Sequence, residues 1–160
     1  MKKAIILGVA LFLSRAIMAQ SNKEDIDIIQ SMFGKQKKEL VNAYMTIPQK
    51  KNDQFWKLYD QYEDARKKLG RQRIALIEDY ANHYDKLTDA KASELATKKL
   101  AWNAAYAKFQ QTYFTKFVVV IGGIQAAKFM QLEDYIENSI RVAVSDEIPF
   151  IGELEKTKQK

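Results

Sequence analysis

With 160 residues, two Pro and six Gly against 47% hydrophobic residues, the chain has the length and make-up of one ordered domain rather than two, and not of a disordered polymer. It has no Cys, which excludes a disulfide framework and thiol chemistry, and only one His. The formal charge of +6 invites a nucleic-acid reading, but half of that excess lies in the first 15 residues.

Those residues read as a leader. Lys2 and Lys3 precede an apolar stretch from Ala4 to Leu13, and Ala16, Met18 and Ala19 lead into Gln20. This is the order of a secretory signal peptide over residues 1–19, cleaved after about Ala19. The apolar run is shorter than the ~20 residues of a spanning helix, and Arg15 interrupts it. An uncleaved amphipathic anchor is the alternative. No Cys follows the run, so the residue needed for lipoprotein attachment is missing. The mature chain is therefore expected to be exported and periplasmic, without stable membrane insertion. Cleavage leaves 23 basic against 20 acidic residues, a net charge of +3. Nucleic acid is then not an expected partner.

Residues 20–152 are expected to form a single all-α domain, followed by a frayed polar tail at 153–160. From Asn22 to Tyr44, residues Ile26, Ile28, Ile29, Phe33, Leu40, Val41 and Tyr44 outline a first helix. Gly34 and the run Lys35, Lys37 and Lys38 weaken its middle, and these lysines read as a solvated face.

From Thr46 to Leu87 the pattern predicts one long amphipathic helix. Its inward stripe is Phe55, Leu58, Tyr59, Tyr62, Ala65, Leu69, Leu76, Tyr80, Tyr84 and Leu87. A helix over 47–87 would be roughly 60 Å long, against the 30 to 40 Å diameter of a compact domain of this size, so an elongated molecule is expected. Its start carries the sharpest local signal: Thr46 can accept the Gln49 backbone N–H while the Gln49 side chain reaches back, a capping box with Pro48 in the first turn. The aromatics between Phe55 and Tyr62 are expected in the core. Gly70 marks either a mild kink or a close helix approach, and Arg66, Lys67, Lys68, Arg71 and Arg73 around it make the densest basic patch. His83 with Asp79 four residues earlier supplies too few ligands for a transition-metal site, so no metal and no cofactor are expected.

Leu87 to Ala90 reads as a tight turn capped by Thr88 or Asp89, which makes the next helix antiparallel to the long one. The returning stripe is Ala92, Leu95, Ala96, Trp102, Tyr106, Phe109, Tyr113 and Phe117, with several alanines to allow close approach. The run Phe117 to Ile121 is read as a buried helix end stopped by Gly122 and Gly123 rather than as a lone strand. Gly122 with Gln125 three residues later starts the last helix, whose inward residues are taken as Ile124, Ala127, Phe129, Leu132, Tyr135, Ile136, Ile140 and Val144. Ile148 and Pro149 end it. The expected fold is thus an elongated antiparallel helical hairpin with a first and a last helix packed against it, about four helices in all.

This layout resembles the Spy/CpxP-like periplasmic proteins, which carry LTxxQ motifs at two helix starts. Met45, Thr46, Ile47, Pro48 and Gln49 match the first motif with Met in place of Leu. Ile121, Gly122, Gly123, Ile124 and Gln125 keep the apolar first residue and the Gln of the second but lose the Thr. The resemblance spans about Val41 to Pro149 and implies a homodimeric, ATP-independent chaperone that cradles unfolded clients, or an envelope-stress adaptor. It also implies a concave surface with positive charge and apolar patches, for which Arg66, Lys67, Arg71 and Arg73 are the candidates. Metal sensing, found in some relatives, lacks a ligand cluster here.

Catalysis is not expected. There is no glycine-rich phosphate loop and no GxSxG or HExxH pattern, and the carboxylates fall on solvated helix faces. The alternative to a chaperone or adaptor for unfolded or envelope proteins is a regulator of a periplasmic signalling system, a sensor kinase or a sigma and anti-sigma pair. The genes adjoining this one would separate the two.

Overall fold

The computed structural model describes residues 23–146 together with 148 and 149, with side chains from residue 34 onward except at 146. The leader and the tail at 153–160 lie outside these. Four helices follow one another: α1 (Lys23–Tyr44), α2 (Asn52–His83), α3 (Asp89–Ile121) and α4 (Gly123–Asp146). There is no strand among the described residues, and the valine run at 118–120 is helical. The fold is all-α, as expected.

Each helix runs opposite to the one before it. Tyr113 Oη donates to the Gln61 carbonyl at 2.9 Å near one end of the α2–α3 hairpin, and Lys91 Nζ reaches Asp79 at 2.9 Å near the other. Along α3 and α4, Phe117 packs on Phe129 at 4.4 Å and Gln110 donates to Asp134. On the other side, Lys38 of α1 pairs with Asp60 of α2. The end of the molecule holding the α1–α2 link and the α3–α4 turn is called the base here, and the end holding the α2–α3 turn the tip.

The core sits at the base. Val41, Phe55, Tyr62, Phe117, Ala126 and Phe129 are fully buried, and Met45, Leu58, Tyr59, Ile121 and Leu132 nearly so. Phe129 alone meets Phe55, Tyr59, Tyr62 and Phe117 within 6.1 Å between ring centroids. Leu95, Trp102, Tyr106 and Val144 are buried toward the tip, outside that cluster.

The helix boundaries differ from the expected ones in instructive ways. The long helix does not start at a Thr46 capping box. Residues 45–48 are not helical, Gln49–Lys51 form a single 3-10 turn with Pro48 as its cap (φ −57°, ψ 133°), and neither that turn nor α2 has a side-chain cap. A residue before Pro is pushed out of the α region, which keeps the helix from starting at Ile47 and leaves Thr46 outside it. The helix also ends earlier, at His83, with a 3-10 turn at Tyr84–Lys86. At 32 residues, α2 is about 48 Å long. Thr88 caps α3 as anticipated, its Oγ1 accepting from the Lys91 N–H at 3.2 Å. Gly34 causes no break in α1.

Gly122 alone joins α3 to α4. Its φ of +80° suits only glycine, its N–H bonds the Val118 carbonyl, and its own carbonyl accepts from Ala126. The inward face of α4 is shifted from the expected one. Ile124 and Tyr135 are exposed, as is Ala127, while Ala126 and Glu133 are buried. The stripe was misphased because a carboxylate, not a hydrophobe, occupies one of the deepest positions.

Candidate client groove and buried charge cluster

Two features stand out: a charge cluster sealed in the base and a groove open near the tip. Lys37, Glu63 and Glu133 are 3%, 6% and 2% exposed. Lys37 Nζ donates to Glu63 Oε1 and to Glu133 Oε2, both at 2.6 Å. Tyr62 Oη donates to the same Glu133 oxygen at 2.7 Å. The Arg66 guanidinium makes a forked contact with Glu63, Nε to Oε1 at 3.1 Å and Nη2 to Oε2 at 3.1 Å. Two cations thus face two carboxylates, which is the condition for keeping charges in a low-dielectric core.

The two carboxylates respond oppositely. Burial raises Glu63, but Lys37 and Arg66 together outweigh it and hold its pKa below the ordinary 4.5. Burial dominates at Glu133 and lifts it above 4.5 despite Lys37, with the nearby charge of Glu63 adding to the rise. Glu133 Oε1 has no hydrogen-bond partner, which fits a carboxylate short of compensation. Burial, then Glu133, pushes the Tyr62 phenol well above its usual range. The expectation that Lys35, Lys37 and Lys38 form a solvated face is wrong for Lys37. Nothing in a single helix's pattern marks it, because the partners lie 26 and 96 residues away.

The four basic residues proposed as a client surface do not form one. Arg66 turns inward to Glu63, and Arg73 Nη1 pairs with Glu137 at 2.9 Å with its guanidinium 5.8 Å from the Trp102 ring. Burial lowers the Arg73 pKa, partly offset by Glu137. Lys67 packs its stem on α1, where a β-carbon added to Gly34 would meet Lys67 Cε at 3.9 Å. Arg71 is exposed. Spaced seven residues apart, Arg66 and Arg73 share the face covered by α4, whereas Lys67 and Arg71 lie on another. The three residues assigned to helix caps fare similarly. Thr46 and Gln49 are exposed and cap nothing, and Gln125 holds its Oε1 buried without a partner.

The groove lies between α2 and α3 near the tip, about 520 Å³ in volume. Ala75, Leu76, Ala101, Trp102 and Ala105 supply its apolar lining, with Gln72, Asp79 and Lys98 around them. The alanines of α3 leave the space. Trp102 holds its floor: its Nε1 donates to the Leu69 carbonyl at 2.8 Å, and Arg141 lies 5.4 Å from its ring. Asp79 is the electrostatic hub of the rim, contacted by Lys91, Lys98 and His83. The Lys91 hydrogen bond in particular holds its carboxyl below the ordinary range. His83 Nδ1 donates to the Asp79 carbonyl oxygen at 2.7 Å. Already engaged by two lysines, Asp79 is poorly placed to join His83 on a cation, and no group of three or more His, Asp or Glu residues gathers for a metal among the described residues. No described helix is long and apolar enough to cross a membrane. One usable sign of the groove is present in the sequence, the alanine-rich first half of α3, which reads as close packing until the width between the helices is known.

No protein-family model, no curated protein and no solved structure matches the chain.

Proposed function

We propose that the protein is an exported, periplasmic chaperone or envelope-stress adaptor, independent of ATP, that takes apolar segments of unfolded or partner proteins into the α2–α3 groove. The observation that carries the reading is the groove itself. It is apolar along its floor, polar at its rim, and left open where α1 and α4 cover other faces of the hairpin. Such a site suits weak, sequence-tolerant capture: alanines set the width, Leu76 and Trp102 offer apolar contact, and Gln72 adds a polar group at the rim. The layout shared with Spy/CpxP-like proteins points the same way. A homodimer belongs to the proposal, because the outer face of α3 leaves Leu100 and Phe114 exposed.

The test is suppression of light scattering by an aggregating client at stoichiometric ratio without ATP. Scattering should fall with the wild type and recover with A101E/A105E, which places carboxylates in the groove. No effect of the wild type, or full activity of the double variant, would overturn the proposal.

A further inference from the structure

The base carries a second feature that neither the groove nor the core uses. Residues 100–132 contain three lysines and no acidic residue, and residues 40–52 contain two lysines and none. Both stretches pass through the base, because α1 and α3 finish there and α2 and α4 begin there. At the opposite end carboxylates slightly outnumber lysines, five to four between Glu78 and Lys99. The base is therefore the more basic end of the molecule.

The same basic end shows its aliphatic side chains to water. Val119 is 78% exposed and Ile124 85%, one on each side of the Gly122 turn. Tyr44, 42% exposed, ends α1 at the same end, with Lys128 Nζ 4.5 Å from its ring centroid, and Lys116 Nζ lies 4.6 Å from the Tyr113 ring centroid. Lys50 and Lys51 belong to the 3-10 turn at this end. The carboxylates that pair with cations among the described residues, Asp60, Glu63, Asp79, Glu94, Glu133 and Glu137, are on the helix bodies or at the tip, and none reaches these four lysines. At the other end, Tyr80 Oη donates to the Pro149 carbonyl at 2.8 Å.

We infer that the base docks on an anionic lipid surface. Val119 and Ile124 enter the interfacial layer, and Lys50, Lys51, Lys116 and Lys128 meet the headgroup phosphates. Lysines with no carboxylate partner among the described residues, at the same end as protruding aliphatic side chains, are what peripheral attachment to anionic lipid requires. An acidic protein partner would satisfy the lysines but gives no account of two fully protruding aliphatics at a turn, where little flat surface is available to bury against. Docked this way, the bundle stands with its tip and groove away from the lipid. The inference does not depend on the groove reading.

Flotation of the full chain with vesicles tests it, using phosphatidylcholine alone and phosphatidylcholine with phosphatidylglycerol. Flotation should require phosphatidylglycerol and decline with salt. K116E/K128E should weaken it by roughly five-fold per lysine or more, and V119E/I124E should abolish it. V142E, an exposed position on α4 nearer the tip, should float like the wild type. Circular dichroism of each variant checks folding, and the lysine variant keeps the test decisive if the aliphatic one does not fold. Equal flotation by both base variants would place attachment elsewhere, for instance in the apolar stretch at 4–13, and overturn the inference. So would equal binding to neutral vesicles. A loss of self-association in V119E/I124E with no vesicle binding by the wild type would make the face an interface between copies instead.

Discussion

At the base, rings from α2, α3 and α4 close on one another, α1 adds Val41, and four charged groups are sealed beside them. Toward the tip, α2 and α3 meet across Leu95, Trp102 and Tyr106 with α4 adding Arg141 and Val144, and the ion pairs of Asp79 and Glu94 lie at the surface. The base is held by buried area and by charges that have nowhere else to go. The tip is held by a turn, a cap and a few apolar contacts, which is why it can leave a groove open. One chain thus combines a rigid end with a permissive one, and substitutions should separate them.

The largest difference should come from matched truncations. F129A removes the ring that four others share and should cost about 3–5 kcal/mol in denaturant unfolding. L95A, at the thinner tip, should fall near 2 kcal/mol, the low end for such truncations. Equal losses would break the comparison. Next comes K37M, which strands Glu133 without a cation and should cost about 3–5 kcal/mol. K37M/E133Q should recover most of that loss, because no uncompensated carboxylate remains while Glu63 keeps Arg66. A double variant no more stable than K37M would mean that Lys37 acts through packing rather than charge.

Much of the fold was legible in the sequence, because Phe55, Leu58, Tyr59 and Tyr62, and Leu95, Trp102 and Tyr106, repeat at helical spacing and Thr88 and Gly122 punctuate the chain. What stayed hidden depends on contacts between distant segments. Lys37 looks like any surface lysine until α2 and α4 bring Glu63 and Glu133 to it. Arg66 and Arg73 look like a patch until their carboxylates are located. The Thr46 motif is local, but Pro48 acts backward on Ile47 and overrides it, so the capping rule lost to a backbone restriction one residue away. The groove was the least legible feature, since a row of alanines predicts close packing and an open channel equally well.

The charge cluster also predicts a pH dependence with two opposed parts. Glu63 is held below 4.5, so its contribution is present above that pH and is lost as pH falls through its folded value. Glu133 is raised above 4.5, so its contribution is present below that pH and is lost as pH rises through its folded value. Measured against E133Q, the wild type should therefore lose relative stability as pH climbs from 4.5 toward neutrality, and E63Q should show the reverse trend on the acid side. A flat difference between wild type and E133Q would place Glu133 at an ordinary pKa and remove the claim that burial dominates there.

At the tip the effects shrink. T88A removes the hydroxyl that accepts from Lys91 and should cost about 1 kcal/mol, with faster amide exchange confined to the first turn of α3. D79N should be the smallest. Its partners Lys91, Lys98 and His83 are partly or largely exposed, so the side chains can rehydrate and salt screens the attraction. The decisive comparison is salt itself. In about 0.5 M NaCl the difference between D79N and wild type should vanish, while the K37M defect persists, because screening ions reach the rim and not the core. If both defects faded together, water and ions would have to enter the base, and the distinction between a sealed end and an open one would not hold.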